Sequence, residues 1–199
     1  MTQPLKSKLF FAALLSICAV ALPYSSFSLA QDSPATQQNA PGPSDPQIAA
    51  IVVASNDVDI EAGKLAKSKT KNKEVKKLAQ HMVTDHKAVN KESKALVKRL
   101  NVTPEENDTS KSLKANGKQT LAELKKLKGP AFDHAYVANE VTYHQTVLDS
   151  IDKTLLPSAK NPELKALLEK VRPSIAQHLE HAKAVQASLQ PTEHHSTQG

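Results

Sequence analysis

LAQHMVTDHKAVNKESKALVKRL, residues 78–100, decides the fold. Read together with Val75, the stretch carries Val75, Ala79, Met82, His86, Val89, Ser93 and Leu96 at spacings of three and four, which is one face of an α-helix. Leu78, Asp85 and Val97 form a companion row, and Lys, Glu and Gln fill the remainder. The spacing predicts a helix over about 72–100.

The same period recurs on both sides. Upstream, Ile51, Ala54, Val58, Glu61 and Leu65 form a stripe. Its predicted start is Asp45 as N-cap and Pro46 as first helical residue, where proline's missing donor costs nothing. Downstream, Asp133, Val137, Glu140, His144, Val147 and Ile151 predict a helix over 131–156, restarted by Gly129-Pro130. Asn161-Pro162 opens the last helix, with Leu164, Leu168, Val171, Ile175, His178, Ala182, Val185 and Leu189 on one face. Pro173 falls inside it and predicts a kink. Between the two helical hairpins, a connector holds its own short helix with Leu113, Leu121, Leu124 and Leu127. A connector of that length can travel along a bundle, so the second and fourth predicted helices run parallel. The fold class is therefore all-α, a ferritin-like four-helix bundle with a short extra helix in the long crossover connection. A composition of 4% aromatics and 5 Gly in 199 residues argues against a β-sandwich or barrel.

The N-terminus reads as a secretory signal peptide. Lys6 and Lys8 precede an apolar run, Leu9 to Leu22, and Ser28-Leu29-Ala30 supplies small residues where a signal peptidase cuts. That run is shorter than the roughly 20 residues of a spanning helix. The predicted organisation is a signal peptide over 1–30, a disordered tether over 31–45, the helical bundle over 46–190 and a disordered tail over 191–199. Removal of the signal removes Cys18, the single cysteine, and leaves a mature chain with neither a thiol nor a transmembrane segment. The expected location is the periplasm or the outer membrane's periphery.

Each main stripe is interrupted by a group that can bind a metal: Glu61, His86, His144 and His178, with Glu140 one turn before His144. Buried polar groups are costly unless paired, so several in one core must satisfy one another or an ion. Imidazoles with a carboxylate suit one transition metal ion, Zn, Cu, Ni or Fe, better than Mg or Ca. Asp85 is the expected outer acceptor that orients an imidazole. Counting residues from the turn between the first two helices predicts two tiers, Glu61 with His178 and Glu140, then His86 with His144. The alternative is a non-catalytic envelope or interaction protein in which these groups form a structural polar layer.

LAQHMVTDH (78–86), FDHAYVANEVTYH (132–144) and RPSIAQHLEHA (172–182), with Glu61 ahead of Gly63-Lys64-Leu65-Ala66, closely resemble the bacterial family called domain of unknown function 4142. The resemblance covers residues 47–189 and implies an exported, ferritin-like helical bundle; some members carry an outer-membrane-protein label. The family's characteristic positions correspond to Glu61, Asp85, His86, Phe132, Asp133, Tyr136, His144, Pro173 and His178. Glu140 stands where the family commonly has Gln. The resemblance carries no established activity.

The remaining signals are plainer. Seven lysines between Lys64 and Lys77 crowd the first turn, a solvated charged end that offers a place for an acidic envelope component. A formal charge of +6 does not by itself assign a partner. Nucleic acid is disfavoured by the export signal and by the lack of an interleaved aromatic platform. His81, His134 and His181 lie off the stripes and are expected at the surface, and His194-His195 sits in the tail. No nucleophile with its base and no phosphate loop is evident, so the reading inclines away from an enzyme.

Overall fold

Ser44 begins the first helix. Its hydroxyl accepts from the Gln47 amide while the Gln47 side chain accepts from the Ser44 amide, a reciprocal capping box. Asp45, predicted as the cap, does a different job: its carboxylate accepts from the backbone N–H of Lys160 and of Asn161, both at 2.9 Å. It thereby ties the start of the first helix to the start of the last. The computed structural model describes residues 42–190, so the predicted signal peptide, most of the predicted tether and the predicted tail lie outside the described residues.

The chain runs through α1 (Asp45–Lys69), α2 (Lys73–Arg99), α3 (Asp108–Lys126) and α4 (Gly129–Ser150). A single π-helical turn, Ile151–Leu155, continues α4 into the short α5 (Leu156–Ser158), and α6 (Pro162–Ser188) completes the bundle. No strand occurs among the described residues. Asn72, Asn107 and Asn161 cap α2, α3 and α6 by accepting backbone N–H bonds from the first turn. Gly129 opens α4 at φ 55°, a conformation that costs a residue without a Cβ little. The π turn sits just ahead of Pro157, which supplies no N–H to the carbonyl four residues back and crowds it. α6 runs unbroken through Pro173.

The core has two apolar halves. One joins the C-terminal half of α1 and the N-terminal half of α2 to Leu124, Phe132, Tyr136, Ala182 and Val185. The other joins Ile48, Ile51 and Val52 to Leu96, Ile151, Leu155 and the first half of α6. Since α2 and α4 both run from the first half toward the second, they are parallel, and α3 makes the return journey along α1. The extra helix of the crossover, 19 residues long, is shorter than the four core helices and lies against the flank of α1. Gly117 of α3 lets it approach: a Cβ there would stand 2.7 Å from Val58 Cγ2.

The lysine-rich end is partly structural. Lys64 pairs with Glu61, and the Lys69 ammonium donates to the carbonyls of Leu124 and Lys125, closing the C-terminus of α3. No helix among the described residues is long and apolar enough to cross a membrane.

Candidate metal centre

Between the two apolar halves lies a layer of buried polar side chains. Asp59 comes from α1, His86 from α2, Glu140 and His144 from α4, and His178 from α6. Glu140 and His144 lie one turn apart on one face of α4, so α4 supplies two groups where each of the other helices supplies one. One donor atom each from His86, His144 and His178 lie within 4.8 Å of one another, and so do those of Asp59, Glu140 and His144. The predicted tiers are not found: His178 joins His86 and His144, and His144 belongs to both groups.

Glu61 is not part of it. Its side chain is 54% exposed and bonded to Lys64, and Asp59 occupies the core position instead. α1 is covered by α2, α3 and α4, so apolar residues encircle most of it. Val58 and Leu65, which define the row containing Glu61, pack toward other neighbours, Val58 against Gly117 of α3. The row that faces the centre is Val52, Asp59, Ala62 and Ala66.

Hydrogen bonds fix which nitrogen each imidazole offers. The Asn56 amide nitrogen donates to the Val52 carbonyl at 2.9 Å, which leaves its Oδ1 to accept from His86 Nδ1 at 2.6 Å. His144 Nδ1 donates to the Glu140 carbonyl at 2.9 Å. His178 Nε2 donates to Asp85 Oδ2 at 2.9 Å, while its Nδ1 is buried without a partner. Each ring therefore spends its proton on an outward acceptor, and the lone pairs of His86 Nε2, His144 Nε2 and His178 Nδ1 remain for the centre. Asp85 is the outer acceptor expected of it.

The spacing is that of ligands. His86 Nε2 stands 3.3 Å from His144 Nε2 and 3.1 Å from Asp59 Oδ2. Two donors on a tetrahedral ion with bonds of about 2.0–2.1 Å lie about 3.3 Å apart. Lone pairs facing at that distance repel unless a proton or a cation sits between them.

Electrostatics point the same way. Burial holds His86 well below the ordinary imidazole value, and the neighbouring His144 and His178 add to the effect. Burial likewise lowers His144, to about 4, so both rings are neutral near pH 7. Burial raises Asp59 to about 6 and Glu140 well above the carboxylate range, Glu140 being raised further by the Asp59 charge. None of the four oxygens makes a hydrogen bond of full geometry, although the Tyr136 hydroxyl lies close enough to Glu140 to draw its value back down somewhat. Of the two carboxyls, Glu140 keeps the proton and Asp59 the charge. The Tyr136 hydroxyl, also unpartnered, is pushed up by burial and then by Glu140 and Asp59. On the other side, a mostly apolar cavity lined by Val52, Val147, Ile151 and Leu155 abuts His86 and His144.

This cluster of His86, His144, His178, Asp59 and Glu140 is positioned to coordinate one transition-metal ion. Asn56 and Asp59 gave no separate signal in the sequence beyond being polar groups next to the Ile51–Val53 run. Residues 30–185 match the family model described as Domain of unknown function (DUF4142). The chain belongs to this family. No curated protein and no solved structure matches it. Family membership thus covers the whole layer from Asp59 to His178.

Proposed function

We propose that this protein holds one transition-metal ion, Zn, Cu, Ni or Fe, with His86 Nε2, His144 Nε2, His178 Nδ1 and an Asp59 oxygen as ligands. The convergence of three imidazole lone pairs, each ring anchored by an outward acceptor, carries the reading. Three imidazole nitrogens and one carboxylate suit a borderline divalent ion, and Glu140, protonated beside Asp59, steadies that ligand. Four protein ligands fill a tetrahedral ion and leave no open position, the arrangement of an ion that is held and not used in catalysis. The N-terminal Lys6–Ala30 segment supports export, so the site serves in the cell envelope.

Metal analysis of untagged protein tests this directly. One ion per chain is expected. A chelator should lower the melting temperature, re-addition of the ion should restore it, and His144→Ala should abolish both responses. Metal-free protein that ignores chelator and added ions alike would leave the polar-layer reading in its place.

A further inference from the structure

A second pair of histidines stands at the surface above the buried layer. His81, exposed on α2, and His181, half-buried on α6, have ring centroids 5.4 Å apart. The three ring pairs inside the cluster span 5.2, 5.4 and 5.5 Å. The outer pair is thus spaced as the inner ligands are, although neither residue lies on an apolar stripe.

The two pairs are connected. His81 is four residues before Asp85 on α2, and His181 is three residues after His178 on α6, so each helix carries one outer and one inner group on the same face. The step between them is one helical turn, about 5.4 Å. Asp85, 51% exposed, bonds the His178 ring, and the His178 side chain is 9% exposed. The side chains of His86, His144, Asp59 and Glu140 are at most 3% exposed. The cluster therefore comes nearest to water at His178, under the outer pair. The opposite approach passes the aliphatic cavity, which a hydrated cation avoids.

We infer that His81 and His181 form a surface capture site for a divalent transition-metal ion, which passes from them by way of Asp85 and His178 to the buried ligands. The inference rests on the metal-holding reading of the core. Only coordination bonds change along the way: the ion gives up water for two imidazole nitrogens, takes the Asp85 carboxylate as it leaves them, and ends on the inner donors. Holding the ion one turn from its destination raises its local concentration there.

Co(II) uptake by the untagged full chain, followed by its visible d–d absorption after rapid mixing, tests the inference. His194→Ala/His195→Ala is placed in every protein so that the tail contributes nothing. In that background, His81→Ala/His181→Ala should slow uptake about ten-fold or more while leaving the final spectrum and stoichiometry unchanged. His86→Ala/His144→Ala, which leaves too few core ligands to hold an ion, should retain one weak Co(II) site that disappears when His81→Ala/His181→Ala is added. An unchanged uptake rate in the double variant, or weak binding that survives it, overturns the capture site and leaves the core reading standing. Failure of the protein with His81 and His181 intact to take up Co(II) at all overturns both.

Discussion

Asp59 and Glu140, on facing helices, bury two carboxyls side by side, and no lysine or arginine among the described residues pairs with either. A cation beside Asp59 is the partner that such an arrangement lacks within the chain itself. Asp59→Asn should therefore weaken metal binding by more than the about 10–100-fold typical of losing an outer-shell partner. Glu61→Gln, which alters an exposed ion pair, should leave it unchanged. Titration of both variants with Zn against a competing chelator measures the two affinities. The reverse order would return Glu61 to the site.

The anchors behind the rings make a separate prediction. Asn56 holds His86 by the ring nitrogen that faces away from the centre, and Asp85 does the same for His178. Asn56→Ala and Asp85→Asn should each reduce affinity about 10–100-fold without changing stoichiometry. Asp85 is half exposed, so its substitution should barely move the stability of metal-free protein. Metal-free unfolding curves alongside the affinities check both statements. A loss of stability with no loss of affinity would make these groups structural only.

The helices were legible because their stripes and caps are local. Asn161-Pro162 and the row from Leu164 to Val185 needed no knowledge of neighbours. His86, His144 and His178 stood out because each interrupts a row whose other members are Val, Leu and Ala. Asp59 did not stand out: α1 is enclosed by three helices, and nothing local reveals which of its rows meets the axis. The two-tier count failed separately, because counting residues from the first turn set His178 apart from the His86 and His144 that it meets. The reciprocal Ser44 and Gln47 bonds and the cross-link from Asp45 to residue 160 depend on geometry that a proline at position 46 does not specify.

Gly63 tests how closely α1 and α2 approach. A Cβ on it would stand 2.8 Å from Val83 Cγ2 and 3.1 Å from the Ala79 carbonyl oxygen. The valine can rotate, but a helix backbone oxygen cannot easily yield. Alanine gains about 1 kcal/mol of helix propensity, and overpacking costs about 1–3 kcal/mol. Gly63→Ala should be destabilising on balance, with the melting temperature falling by a few degrees. A more stable variant would mean that the helices have room to part.

Acidification affects the carboxyls and the histidines in opposite senses. Asp59 has a folded value of about 6 against an ordinary 3.8, so between those values the native state keeps a proton that the unfolded chain has released. Its contribution is present below about 3.8 and is lost as pH rises through about 6. Glu140, raised well above its ordinary 4.5, acts in the same sense. His144 has a folded value of about 4 against 6.5, so there the unfolded chain holds the extra proton. Its contribution is present above 6.5 and is lost as pH falls through about 4, and His86 acts with it. At about 1.4 kcal/mol per unit, Asp59 and His144 each contribute about 3 kcal/mol, of opposite sign over nearly the same window. Metal-free protein should therefore draw little net pH dependence from this layer between pH 4 and 6. Asp59→Asn removes one of the two carboxyl contributions and leaves Glu140 to oppose the histidines. The metal-free variant should be more stable than the parent by about 2–3 kcal/mol at pH 7 and about equal to it below pH 4. Urea unfolding of both proteins across that range measures the difference, and a gap that did not narrow on acidification would show that Asp59 is not a buried charge at neutral pH.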